Sequence, residues 1–138
     1  MTITPANVYS GPIDKLEISV DGGTVYNDMG TVGDGANVES DFEPNKSDLG
    51  DGNQLTKFGT YKVKATILES HTSNLTTLKT AETVQSYMRV TALDAKTYTF
   101  GPMLMQHSIK RGFGKDPHSI IIEGQKYAAN SDDLEAIA

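Results

Sequence analysis

The sequence predicts a mainly β fold: a small β-sandwich or barrel of six or seven strands, one flanking α-helix and a long acidic loop. Three observations predict it. Several short segments alternate apolar and polar residues with period two. Clusters of Gly, Asp and Asn separate them. One internal segment alone switches to helical spacing.

In chain order, Leu16, Ile18 and Val20 fall on one face of a strand. Asp21-Gly22-Gly23 reads as a tight turn, and Thr24-Val25-Tyr26 as the start of a return strand. Residues 15–28 thus predict a β-hairpin. Residues 29–59 are rich in Gly, Asn and Asp and predict the long loop. Within them residues 36–42 alternate weakly (Ala36, Val38, Ser40, Phe42) and are a candidate strand, and residues 44–58 have no period. Residues 28–53 hold seven acids against the single base Lys46, which accounts for the whole net charge of −6.

Residues 61–68 form a clear strand, with Tyr61, Val63, Ala65 and Ile67 on one face. Lys62, Lys64 and Thr66 lie on the other, a face that is wet or meets an acidic partner. Residues 70–85 change period. Ser73 is the expected N-cap, with Leu75, Leu78 and Glu82 along one stripe and Ala81 beside it. Residues 87–93 and 97–100 make a second hairpin around Asp94-Ala95-Lys96, broken or bulged at Gly101-Pro102. Residues 103–111 continue as a strand, residues 112–117 turn, and residues 118–123 close the sheet. Ile120, Ile121 and Ile122 are consecutive, so that strand is expected to be covered on both faces. Near the C-terminus, Asp132 and Glu135 have capping-box spacing.

The 138 residues amount to a single domain, 1–138, with flexible termini at 1–12 and 129–138. The absence of cysteine excludes disulfides, thiolate metal sites and a cysteine nucleophile. No apolar run is long enough for a membrane helix, and the first eleven residues lack the pattern of a secretory signal. Net negative charge argues against tight nucleic-acid binding. No Gly-x-Ser-x-Gly or His-Glu-x-x-His motif occurs, so the expectation is a non-enzymatic chain without cofactor or metal. His107 and His118 flank the 112–117 turn and face each other in a hairpin reading, but no third ligand stands at a metal spacing; His71 is the remaining histidine. Residues 48–53 lack the ligand order of a calcium loop. The spaced glycines of residues 30–35 precede no helix, as a phosphate loop requires. Lys110, Arg111 and Lys115 cluster near Phe113. They read as charge partners for an acidic loop on a neighbouring subunit, or as a polar rim without energetic weight.

From Thr60 onward the element order resembles the phage tail-tube protein family, shared in outline with the tube-forming proteins of contractile injection systems. The resemblance rests on the strand at 61–68, the Ser-Asn-Leu-x-x-Leu helix start at 73–78, the Met-Arg-Val-Thr-Ala-Leu-Asp-Ala-Lys-Thr-Tyr-Thr-Phe hairpin at 88–100, the strand ending at Arg111 and the Ile-rich closing strand. Upstream, residues 16–23 are similar to the family's opening hairpin, and residues 30–59 sit where the family carries a long loop touching the next ring. The resemblance implies a virion structural protein, assembled in the host cytoplasm into hexameric rings stacked as a hollow tube. Its partners are then copies of itself, other virion tail proteins, and DNA passing through the lumen without specific binding; no membrane is implied. Inter-subunit contacts are expected at Asp41, Phe42, Glu43, Lys46, Asp48, Asp51 and Phe58, with Lys110, Arg111 and Lys115 as partners. Capsid-decoration and head–tail joining proteins share this texture. A monomeric carbohydrate-binding sandwich is the alternative from another class, but aromatics are only 7% with no Trp for stacking sugar rings.

Overall fold

A computed structural model describes residues 13–29, 37–48, 50, 52, 54–69, 74–92, 96–114 and 118–138. In chain order the elements are β1 (Ile13–Ser19), β2 (Asn27–Asp28), β3 (Asn37–Asp48), β4 (Gln54–Leu68), α1 (Leu75–Ala81), β5 (Ser86–Ala92), β6 (Thr97–Met103), β7 (Met105–Lys110), β8 (Ser119–Ala128), a 3-10 turn (Ser131–Asp133) and β9 (Glu135–Ile137). The strands form two antiparallel sheets, ordered β2-β1-β5-β6-β9 and β3-β4-β8-β7. The fold is therefore a sandwich rather than a closed barrel. Nine strands among the described residues exceed the expected six or seven, because β3 falls in the segment read as a long loop and β9 is too short to show a period.

Alternation decides what each strand buries. In β4, Tyr61, Val63, Ala65 and Ile67 are at most 1% exposed while Lys62 and Lys64 face solvent. They pack with Ile120 and Ile122 of β8 and Met105 of β7 in one core with Leu16, Ile18, Met88, Val90 and Phe100 from the opposite sheet. Ile121 is only half-buried, so β8 alternates like its neighbours and is not covered on both faces as expected. Nor does it close the fold, since β9 follows.

The first hairpin is wider than expected. Its return strand is Asn27–Asp28, not Thr24-Val25-Tyr26. The Asp21 side chain organises the wide turn: Oδ1 accepts from the Ser19 hydroxyl (2.7 Å) and from the backbone N–H groups of Val25 (3.0 Å) and Thr24 (3.2 Å). These bonds, that of Val25 foremost, hold the Asp21 carboxyl below its ordinary range. Outside the core, Arg89 lies 3.8 Å over the Tyr26 ring and donates two bonds to the buried Glu17 (3.1 and 3.2 Å).

The helix is shorter than expected, and its N-cap is Asn74, whose Oδ1 accepts from the Thr77 N–H at 3.1 Å. Ser73 lies outside the described residues. The buried stripe is Thr77, Leu78 and Ala81, with Glu82 exposed, and it packs on β7 and β1. Gly101 and Pro102 stay within β6, beside a register shift between Ser86 and Met88, so they bulge the strand without breaking it. The break comes at Leu104, where the chain leaves one sheet and enters the other. Met103 Sδ occupies the space a Cβ on Gly124 would need, 2.4 Å away, so glycine there lets the corner close.

The expected long loop at 29–59 is largely a β-ribbon. β3 and β4 pair from Asn37↔Thr66 to Asp48↔Gln54. Pro44 sits at a register shift between Glu43 and Asn45, the bulge position that an edge strand offers a residue without an N–H. Gly59 makes room for it: a Cβ there would lie 2.4 Å from the Glu43 carbonyl oxygen. The weakly alternating 36–42 segment lies on β3 with Val38 and Phe42 against the core, whereas residues 44–58, without a period, join the same backbone ladder. The C-terminus is likewise not a loose end. Thr97 and Ala138 exchange backbone bonds (3.0 and 2.8 Å), Leu134 is 4% exposed, and the Tyr61 hydroxyl donates to the Glu135 carboxylate. The expected Asp132–Glu135 cap is replaced by Asp133 Oδ2 accepting from the Asn130 N–H at 3.1 Å. The terminus at 1–12 lies outside the described residues.

Replacing Gly59 with Ala should destabilise the fold by about 1–3 kcal/mol, since the obstructing atoms are backbone and cannot swing away. Urea denaturation of the variant against the wild type measures it; an unchanged midpoint would remove the Gly59–Pro44 packing argument.

Candidate functional site

The four-stranded sheet offers the features expected of an assembly surface. β8 pairs with β4 only between Gly59↔Ala128 and Leu68↔Ser119, whereas the β3–β4 ladder continues past Gly59. Residues 45–48 and 54–58 therefore form a two-stranded arm beyond the end of the sheet. At that end Glu43, Thr60 and Tyr127 stand side by side across the strands. At the opposite end are Leu68, Ser119 and Lys110, followed by the turn after β7. β3 and β7 form the sheet's two edges, each hydrogen-bonded to one neighbour.

The outward face of this sheet is charged in rows. Register sets Lys64 between Glu39 and Glu123, and Lys62 between Asp41 and Gln125. All six are exposed. The acidic partner expected for the lysine face thus stands, in part, in the same chain. Opposite charges directly across strands contribute roughly 0.2–1 kcal/mol each. Lys62, Lys64, Leu104, Gln106, Glu123 and Gln125 border an open depression of about 430 Å³ on this face.

The expected contact residues divide into groups. Asp41 and Glu43 are exposed on β3. Phe42 is partly buried and packs against the core, its ring 6.3 Å from that of Tyr61. Lys46 and Asp48 lie in the arm on β3, across from Thr56 and Gln54, and Phe58 lies in the arm on β4. Asp51 and Lys115 lie outside the described residues, as do His71 and residues 30–35. Lys110 is exposed at the end of the edge strand β7.

Arg111 does not stand ready for a neighbour's carboxylates. It donates from Nε to Glu69 Oε1 (3.0 Å) and from Nη2 to Oε2 (2.7 Å), a bidentate pair within the chain. His118 Nδ1 lies 3.0 Å from Glu69 Oε1, and its Nε2 lies 3.0 Å from the Gly112 carbonyl oxygen. Phe113 stacks edge-on to the His118 ring at 5.1 Å, yet stays 87% exposed. The bonds from Arg111, then those from His118, pull the Glu69 carboxyl from 4.5 to about 2, and Glu69 raises Arg111 in turn. Glu69 was not among the expected residues. Its partners are 42 and 49 positions away, and no local pattern marks such a pairing.

The two histidines do not face each other as the hairpin reading had them. His107 lies beside Glu82, whose Oε1 is 3.1 Å from Nδ1 but off the line of a hydrogen bond, so that this buried nitrogen has no hydrogen-bond partner. Among the described residues there is no group of three or more side chains suited to a metal ion, and no helix is long and apolar enough to cross a membrane. The chain matches no family model and no curated protein.

Glu69 predicts an acid dependence. Its carboxyl is depressed in the folded state, so its contribution is complete above about 4.5 and is lost as pH falls through about 2. Urea midpoints measured across that window should fall with pH in the wild type, with a flatter profile in Glu69→Gln. Parallel profiles would show that the Arg111–Glu69–His118 contact carries no linkage.

Proposed function

We propose that this chain is a self-assembling structural subunit of the tail-tube type, in which copies close into rings and rings stack into a hollow conduit for DNA. The observation that carries the reading is the pair of edge strands, β3 and β7, on the four-stranded sheet. Its strands alternate in direction, so β3 and β7 run oppositely. Copies repeated around a rotation axis then bring β3 of one against β7 of the next in antiparallel register, with no directional clash. Ring closure satisfies both edges, a strong reason for a sheet to assemble.

The arm supports the stacking step. A two-stranded ribbon is marginal alone and gains stability from a surface to lie on. Its sequence, residues 45–58, balances Asp48 and Asp51 with Lys46 and Lys57, a mixed set of charges for an adjoining ring to meet. The outward face carries Glu39, Asp41, Glu43 and Glu123 against Lys62, Lys64 and Lys110, an acid excess suited to letting phosphate pass without gripping it. Hexameric rings, a virion location and further tail proteins at the tube ends come with the family resemblance.

Negative-stain electron microscopy of the purified chain at rising concentration should show rings and hollow tubes. Monomers at every concentration would overturn the reading. Deleting residues 45–54 should leave a folded chain that makes rings but not tubes; tubes of normal length would remove the arm from the stacking step.

A further inference from the structure

His118 stands between two oxygens from different parts of the chain. Its Nδ1 lies 3.0 Å from Glu69 Oε1, just past β4, and its Nε2 lies 3.0 Å from the Gly112 carbonyl oxygen, just past β7. Neither oxygen can donate. One is a carbonyl, and the other belongs to a carboxyl pulled down to about 2, so it is ionised above that pH. A neutral imidazole has one N–H and one lone pair. It can bond one of the two oxygens and must turn its lone pair on the other. Only the doubly protonated ring bonds both.

The two bonds hold different things. Glu69 and His118 are tied in other ways as well: the Glu69 N–H donates to the His118 carbonyl at 2.8 Å, Leu68 pairs with Ser119, and Arg111 holds the Glu69 carboxylate with two bonds. The Gly112 bond instead closes the turn between β7 and β8. Packing does not hold that side of the turn, since a Cβ at Gly112 would meet nothing within 4 Å. Phe113 touches the His118 ring edge-on at 5.1 Å and is otherwise 87% exposed. When one proton leaves, the charge-assisted bond to the carboxylate is the stronger and is kept, so the carbonyl loses its donor.

We propose that His118 is a pH-sensitive clamp on the β7–β8 turn: doubly protonated it binds Gly112 and seats Phe113, and on losing a proton it lets both go. The charged groups about the ring are Glu69, Arg111, and Lys110 on β7, which stands across from Ser119. Residues 115–117 lie outside the described residues. Arg111 keeps its bonds to Glu69 in both states, so release is confined to the turn. The clamp is closed on the acid side of the ring's deprotonation and is lost as pH rises through it. At the acid limit it ends where Glu69 takes up its own proton, at about 2. The inference concerns a single chain and does not depend on the assembly reading.

The chain contains no tryptophan, so Phe113→Trp places a lone fluorophore on the turn. In solutions dilute enough to keep copies apart, its anisotropy should be high in mild acid and step down as pH rises. Adding His118→Gln should abolish the step. A flat profile with His118 present, or the same step without it, overturns the clamp. Imidazole 15N shifts of the wild-type chain, measured at the same pH values, read which ring nitrogens carry protons, and 15N relaxation of the Gly112 amide reads the turn. The two-proton ring should coincide with the rigid turn. A turn that stays rigid after the ring has lost a proton overturns the clamp without reference to any variant.

Discussion

Tyr61 ties the sandwich together. Its ring lies 6.3 Å from Phe42 of β3 on one side and 6.3 Å from Phe100 of β6 on the other, so one side chain spans both sheets. The residue is 1% exposed, and a phenol buried that deeply must find a hydrogen-bond partner. It finds the Glu135 carboxylate, which draws β9 onto the edge of β6. Burial first, and then that bond, push the phenol well above its ordinary range, so it remains a donor across the physiological range. The C-terminal strand is short and gains little from its own three residues of pairing. Its place depends on the polar need of a residue in the middle of the core.

The same strand marks where the sandwich stops and the arm begins. Two positions before Tyr61, Gly59 lets the Pro44 bulge cross, and there β8 ends. Inside that boundary β4 has neighbours on both edges and a buried face; beyond it, the strand has β3 alone. One fifteen-residue strand is therefore divided between two environments. The core part is stabilised by apolar burial, which needs no partner molecule. The arm lies beyond β8 and pairs through the β3–β4 backbone ladder.

What could be read from the sequence follows the same division. The strand carrying Tyr61, Val63, Ala65 and Ile67 was legible because burial on one face imposes period two. The β5–β6 hairpin was legible for the same reason. β3 was half-legible: Val38 and Phe42 alternate, but Pro44, Asn45 and the acids after it bear no mark of a buried face. The helix was placed correctly but given the wrong cap, since Ser73 and Asn74 are equally good candidates until the Thr77 N–H is seen to choose Asn74. Arg111 was assigned to a neighbour's acidic loop because the chain separates its charges sharply along the sequence; its partner Glu69 comes from the end of another strand. Long-range polar pairs leave no periodic trace. Phe113 was placed in the turn beside the basic cluster and Tyr127 lay beyond the last expected strand, because exposure of an aromatic shows only in three dimensions.

The commitment of Arg111 to Glu69 changes how any interface on this chain must gain its specificity. Edge pairing between strands uses backbone groups that every sequence has, so it supplies attraction with little choice of register. Charge must then set the register, yet Arg111 of the basic cluster is already paired inside the chain, Lys64 stands between two acids of its own sheet and Lys62 beside one. Among the described residues of that cluster, Lys110 is left to meet a neighbour's carboxylates. A single lysine at a strand end is a weak guide, worth at most about 1 kcal/mol on an exposed surface.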